Sequence, residues 1–167
     1  MAGLIGKRSR RGAHTPGSGI GAIMSSAPKS IETHRGMVHP SECDLIGHMN
    51  VQFYMTKFSA AGAQLSSLLG ITLAYMEKTG AGLAALEQHI YYEREMAAGE
   101  ATVVDSCVTG VEEKILRYRH WLKDATTGKV AAKMDIVIVH FDRGKRKATA
   151  LPGFVRKNAQ AWLARQS

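Results

Sequence analysis

Residues 50–70 read NVQFYMTKFSAAGAQLSSLLG, a stretch with a capping residue at one end and a stop signal at the other. Between Asn50 and Gly70 the apolar side chains of Val51, Tyr54, Met55, Phe58, Ala61, Leu65, Leu68 and Leu69 recur at a helical period. The run Ala60-Ala61-Gly62-Ala63 is small, which lets a helix lie close against a flat surface. Gly62 gives up about 1 kcal/mol of helix propensity relative to alanine, so a close approach is expected there. A long helix buried across a sheet is predicted.

The residues downstream supply that sheet. Residues 71–80 read as a short second helix ending at Gly80, after which the apolar period switches to two. Strands are predicted at 82–96, 101–111, 114–124 and 129–141, with a shorter one at 146–151. The alternation is clearest after Val130, where Ala132, Met134, Ile136 and Ile138 share one face and Lys133 and Asp135 the other. Glu112-Glu113 and Thr126-Thr127-Gly128 suit antiparallel hairpins, and Pro152 opens a terminal helix reaching about Arg165. Upstream, Met37 to Ser41 reads as a short extended edge segment because of Pro40, and the turn-rich stretch to Asn50 follows it. One long helix followed by a meander of antiparallel strands is an α+β layout, and a sheet with open edges favours pairing with a second copy.

Composition narrows the function classes. The chain has 167 residues and a net charge of +8, yet residues 1–30 hold Lys7, Arg8, Arg10, Arg11 and Lys29 without one acidic residue. The remainder carries a balance of only +3, so neither nucleic acid nor a membrane surface is expected as a partner of the body. Residues 1–35, rich in glycine and serine, are expected to be a disordered basic tail, with the domain at 36–167. Within the tail, Gly17-Ser18-Gly19-Ile20-Gly21 follows no strand and lacks the Lys-Ser/Thr ending of a phosphate loop. A cytoplasmic location is expected, with an organelle transit peptide in residues 1–24, or a start at Met24, left open. No run of about 18 apolar residues suggests a membrane span, and Cys43 and Cys107 offer neither a disulfide framework nor zinc spacing. The histidines are dispersed, so no metal is expected.

The order of elements, with Asp44-Leu45-Ile46-Gly47-His48-Met49-Asn50 ahead of Tyr54, resembles the hotdog fold and, within it, the 4-hydroxybenzoyl-CoA thioesterase family. Leu86-Glu87-Gln88-His89-Ile90-Tyr91-Tyr92-Glu93 leading to Gly99, Gly128-Lys129-Val130-Ala131 and Ala150-Leu151-Pro152 extend the match over about residues 34–165. The stretch from Glu87 to Ile90 is also similar to thioesterases of carnitine breakdown that act on betainyl-CoA. The resemblance implies a long central helix wrapped by a five- or six-stranded antiparallel sheet. It also implies a homodimer or homotetramer with a pocket shared between subunits, an acyl-CoA substrate and no cofactor beyond the coenzyme A of that substrate.

Thioester hydrolysis needs an activated water or nucleophile and donors for the developing oxyanion, which a helix N-terminus provides. The helix opening near Asn50 suits this, with Met49, Asn50, Val51 and Gln52 as the lining. No Asp or Glu lies between Asn50 and Gly70, which excludes a carboxylate carried on the helix itself. Asp44, at the family's catalytic position, is the leading candidate for general base or direct nucleophile. Glu87, on a strand among apolar neighbours, is the second candidate, while Glu42 reads as solvent-facing. His48 could orient Asp44, donate to the thioester carbonyl or stabilise the loop, and Asn50 has capping as its simpler role. Tyr54 and His89 are placed near the substrate, Tyr54 with core packing as the plainer account. Cys43 is read as a packing residue, since the neighbouring carboxylate raises a thiol's pKa. Arg143, Lys145 and Arg146, in the densest basic cluster of the body, could hold the nucleotide phosphates of CoA or form a solvated turn. A non-catalytic acyl-CoA-binding module and a hotdog hydratase remain the alternative functions.

Overall fold

The computed structural model describes residues 30–165. Six strands form one antiparallel sheet: β1 (Ile31–Met37), β2 (Ala81–Tyr92), β3 (Ala101–Val111), β4 (Ile115–Asp124), β5 (Val130–Asp142) and the two-residue β6 (Lys147–Ala148). Three helices accompany it: α1 (Val51–Leu68), α2 (Leu73–Thr79) and α3 (Gly153–Ala164). The strand order is β1-β3-β4-β5-β2, with β6 beside β5. Only β3, β4 and β5 form a meander; β2 crosses to the far edge, where it pairs with β5 alone. This α+β arrangement is the predicted hotdog architecture, a sheet curled around one long helix.

The long helix follows its sequence signals. Asn50 Oδ1 accepts from the Gln52 N–H at 3.1 Å as N-cap, and Gly70, at φ +102°, ends the helix in a conformation that side chains resist. Tyr54, Phe58, Ala61 and Leu65 are buried, at the spacing that faces one side of a helix toward a sheet. Two clusters result. Phe58, Ala61, Val104, Leu122 and Met134 pack beneath the first half of α1, and Leu65, Leu69, Val108, Leu116 and Tyr118 meet α3 beneath the second.

Gly62 departs from expectation. A Cβ built there meets nothing closer than His120 Nε2 at 3.8 Å, an ordinary contact, so close approach does not require the glycine. Gly62→Ala is therefore expected to raise stability by about 0.5–1 kcal/mol, read as a higher melting temperature.

The boundaries also differ in places. β1 begins at Ile31, inside the segment assigned to the tail on composition; its pairing with β3 compensates for a sequence with little apolar content. Residues 1–29 of that tail, including the proposed transit segment, lie outside the described residues. Pro40 opens a 3-10 turn, Pro40–Glu42, rather than continuing an extended segment. The strand expected over 82–96 leaves the sheet at Tyr92, where the Glu93 and Arg94 N–H groups both donate to the Ala131 carbonyl.

Within β2 a bulge falls between Ala85 and Glu87, leaving Leu86 opposite no partner. Before it, Leu83 and Ala85 face α1; after it, Gln88, Ile90 and Tyr92 do. The extra residue reverses the alternation, so Glu87, His89 and Tyr91 lie on the face turned away from the helix.

Candidate active site

The loop between β1 and α1 is built from short-range turn chemistry. The Gly47 N–H donates to the Asp44 carbonyl at 3.0 Å, with Gly47 at φ +87°, and the Asp44 N–H donates to the His48 carbonyl at 3.0 Å. The Asp44 carboxylate turns back to accept the Ile46 N–H on Oδ1 at 3.0 Å, while Oδ2 has no partner among the described residues. The base of the loop is fixed by Met49 N–H to the Met96 carbonyl, 2.7 Å, and Asn50 N–H to the Glu42 carbonyl, 2.9 Å.

Glu42 proves to be an anchor rather than a solvent-facing residue. Its carboxylate accepts both contacts of the Lys57 ammonium, 2.9 and 3.1 Å, together with the His39 N–H; Lys57 also donates to the Met37 carbonyl. The pair joins the loop to the buried side of α1, with side chains only 6% and 15% exposed. Burial alone would raise the Glu42 pKa, but the Lys57 ammonium and the His39 amide outweigh it and hold the carboxyl below its usual value. Lys57→Met strands that carboxylate and is expected to cost about 3 kcal/mol in urea unfolding at pH 7. A depressed folded pKa stabilises above the unfolded value near 4.5 and ceases to do so as pH falls through the folded one. The penalty of the substitution should accordingly persist from pH 7 down to about 4.5 and shrink as the pH falls below it.

The loop, the first turn of α1 and residues 92–95 enclose a pocket of about 600 Å³. Of the sequence candidates, Asp44, His48, Met49, Val51 and Tyr54 line it. Among the amides at the helix start, those of Met49, Asn50, Gln52 and Phe53 are already bonded, to Met96, Glu42 and, for the last two, Asn50. The Val51 N–H takes no acceptor among the described residues. It is thus a free donor at the positive end of an 18-residue helix.

The other candidates sort differently. Asn50 acts through its cap, and neither it nor Gln52 lines the pocket. Tyr54 is buried, donates to the Arg94 carbonyl at 3.3 Å and meets Tyr92 edge-on with ring centroids 5.1 Å apart, so it forms a wall; burial raises its phenol pKa. His48 does not orient Asp44: its Nε2 lies 3.2 Å from Glu95 Oε2, and Nδ1 is buried without a partner among the described residues. Cys43 is partly buried and packs against the core cluster that includes Val38 and Met49. Glu87 and His89 pair with each other at 2.6 Å on the outer face and do not reach this pocket. The bulge is the cause.

Arg143 is also committed elsewhere. Its guanidinium donates to the Met76 and Gly80 carbonyls, at 2.8 and 3.3 Å, and so closes the C-terminus of α2. Lys145 and Arg146 stand exposed in the turn between β5 and β6, where Arg146 adopts φ +52°. This turn adjoins the Ala81 end of β2, whereas the pocket adjoins the Tyr92 end, roughly 35 Å away at the usual strand rise. The sequence reading missed Ile46, Glu93, Arg94 and Glu95 as lining residues. Arg94 is partly spoken for by Glu100 at 3.0 Å and Asp124 at 3.5 Å. The available signal was the charge run Glu93-Arg94-Glu95, which is improbable inside a sheet. Among the described residues no group of three His, Cys, Asp or Glu side chains is placed to hold a metal, and no helix is long and apolar enough to cross a membrane.

A loop carboxylate and the first free amide of a long helix thus share one pocket at the edge of a curled hotdog sheet. Residues 38–163 match the family model described as the Thioesterase-like superfamily, and the chain belongs to that family. A curated relative, the L-carnitine dehydrogenase/betainyl-CoA thioesterase of Rhizobium meliloti (strain 1021), is 26% identical over 118 residues, covering 71% of this chain. A namesake from Rhizobium sp is 27% identical over the same length. The chain spans about a quarter of the length of these relatives, 24% in each case. Among solved structures, a Staphylococcus aureus protein in complex with CoA superposes with a TM-score of 0.76 at 21% identity, over 86% of this chain and 90% of that one. A 1,4-dihydroxy-2-naphthoyl-CoA thioesterase from Synechocystis gives 0.68 at 15% identity, over 76% and 93%. At these identities the likeness is one of fold.

Proposed function

We propose that the protein hydrolyses acyl-CoA thioesters, with Asp44 as the catalytic carboxylate and the Val51 N–H as an oxyanion donor. The observation that carries this reading is that the unpartnered Asp44 Oδ2 and the unpartnered Val51 amide belong to one pocket, among helix-start amides that are otherwise bonded. The thioester carbonyl oxygen accepts from Val51 as negative charge builds on it. Asp44 either takes a proton from the attacking water or attacks the carbonyl carbon itself, forming a mixed anhydride that water then opens. Both routes consume one water and release the free acid and the CoA thiol. Hydrolysis of a panel of acyl-CoAs, followed by thiol release, tests the activity; CoA binding without turnover of any thioester would leave only a binding module.

The catalytic unit of this reading is a homo-oligomer. Along its 12 residues β2 pairs only with β5, and its other edge carries no strand among the described residues. A second copy can pair there about a two-fold axis normal to the sheet. Such an axis reverses every direction in the sheet, so the second copy's Ala81 end lies beside the first copy's Tyr92 end. The exposed Lys145-Arg146 turn of one copy is thereby carried to the Asp44 pocket of the other, where it can meet the phosphates of CoA. Asp44→Asn and a Lys145→Glu/Arg146→Glu variant should each be poorly active alone. Mixed and reassembled, they should recover roughly a quarter of wild-type activity, because half the dimers are mixed and each then holds one intact site. No recovery in verified mixed dimers would place the turn outside the shared site.

A further inference from the structure

A second cavity, of about 460 Å³, lies between the middle and C-terminal part of α1 and the inner face of β2, β4 and β5. Its walls are mostly apolar, including Phe58, Leu83, Met134, Ile136 and Ile138, and no charged side chain among the described residues lines it. One polar group in it is unlike the rest. His120 is fully buried, and its Nε2, on the cavity side beneath Gly62, has no hydrogen-bond partner among the described residues. The other ring nitrogen is engaged: Nδ1 lies 2.5 Å from Ser106 Oγ, which lies 2.5 Å from Thr33 Oγ1, itself bonded to the Val104 carbonyl. His140, comparably buried, is satisfied at both nitrogens, by Tyr75 Oη at 3.0 Å and the Thr149 carbonyl at 3.2 Å. A buried nitrogen without a partner costs free energy unless something that enters the space meets it.

We propose that this cavity receives the acyl group of the thioester and that His120 Nε2 hydrogen-bonds one uncharged oxygen, hydroxyl or keto, on an otherwise apolar chain. The inference rests on the thioesterase reading above. The same two-fold axis sets the helices antiparallel, which brings the second copy's Asp44 loop toward the half of α1 that roofs the cavity. Burial pushes His120 down to about 4, so the ring is neutral at pH 7. The Ser106 hydroxyl can turn toward Nδ1 or toward Thr33. In the first case Nε2 carries the proton and donates; in the second, Nδ1 donates to Ser106 and Nε2 accepts. A substrate hydroxyl suits both states and a keto oxygen the first. A quaternary ammonium group, such as that of the betainyl group named for the relatives, has no N–H to give and finds no carboxylate here.

The test uses pairs of acyl-CoAs of equal chain length, hexanoyl-CoA against its hydroxy and keto derivatives at successive carbons, with betainyl-CoA alongside. Wild-type protein should turn over at least one oxygenated chain with kcat/KM about tenfold or more above the plain chain. His120→Phe removes the nitrogen, and Gly62→Ala places a methyl group in front of it while leaving the Ser106–Thr33 contact intact. Each should bring that ratio to within about twofold, with melting curves confirming folded protein; should His120→Phe fail to fold, Gly62→Ala decides. A wild-type ratio near one for every pair, a ratio that survives in the folded variants, or a preference for betainyl-CoA over all uncharged chains overturns the assignment of His120 but leaves the thioesterase reading standing. Absence of hydrolysis with every thioester overturns that reading, and this inference with it.

Discussion

Val51→Pro is expected to lower kcat about 10²–10³-fold while the protein keeps its fold. Proline lacks only the N–H, and the Val51 N–H makes no intramolecular hydrogen bond that could be lost. The first position of a helix is the one where proline is favoured. The residue before it is suited as well, since Asn50 sits at φ −63°, ψ 145°, the extended conformation that precedes proline readily. The Val51 side chain is exposed, so little packing is at stake. Because the charge on the thioester oxygen builds in the transition state, kcat should fall more than KM rises. An unchanged kcat with an unchanged melting temperature would remove the helix amide from the mechanism.

The second large effect is expected at Asp44. Asparagine retains an oxygen to accept the Ile46 N–H, so the turn from Asp44 to Gly47 persists while the basic and nucleophilic carboxylate is gone. Asp44→Asn should reduce turnover about 100-fold or more, a barrier increase of about 2.7 kcal/mol. The alanine variant removes the turn contact too and should lose some stability in addition. Rapid quench with limiting enzyme separates the two chemical routes, because an acyl-enzyme on Asp44 would carry label from the acyl group whereas a general base would not. Near-wild-type rates in Asp44→Asn would return the search for a base to Glu95, a pocket carboxylate that lies 3.2 Å from His48 Nε2.

The long helix was legible because its signals are local: the cap at Asn50, the apolar spacing and the stop at Gly70 all act within a few residues. The central strands were legible for the same reason. β1 was not, since IETHRGM buries only one of its residues well and owes its order to β3, seventy residues later. The loop candidates Asp44, His48, Met49 and Val51 came together because they are close in sequence to the helix they serve. Glu87 and His89 failed on parity: alternation carried on from Leu83 and Ala85 puts them inward, and nothing local marks Leu86 as the residue that breaks it. Arg143 could not be read as a helix-closing side chain without knowing where α2 ends in space. The same holds for Glu42, whose partner Lys57 lies fifteen residues away on a helix face that the apolar period had assigned to neither side.

The bulge at Leu86 has a genetic consequence. A strand that carries one supernumerary residue tolerates many exchanges of that residue, and can also do without it. Loss of that single codon, with the reading frame intact, would leave Ala85 opposite Ile138 and Glu87 opposite Val137 as neighbours in plain alternation, so Glu87, His89 and Tyr91 would still face outward and Gln88, Ile90 and Tyr92 inward. Substitutions at Leu86 and its deletion should therefore both be mild, a tolerance that a mutational scan containing both would display at one position.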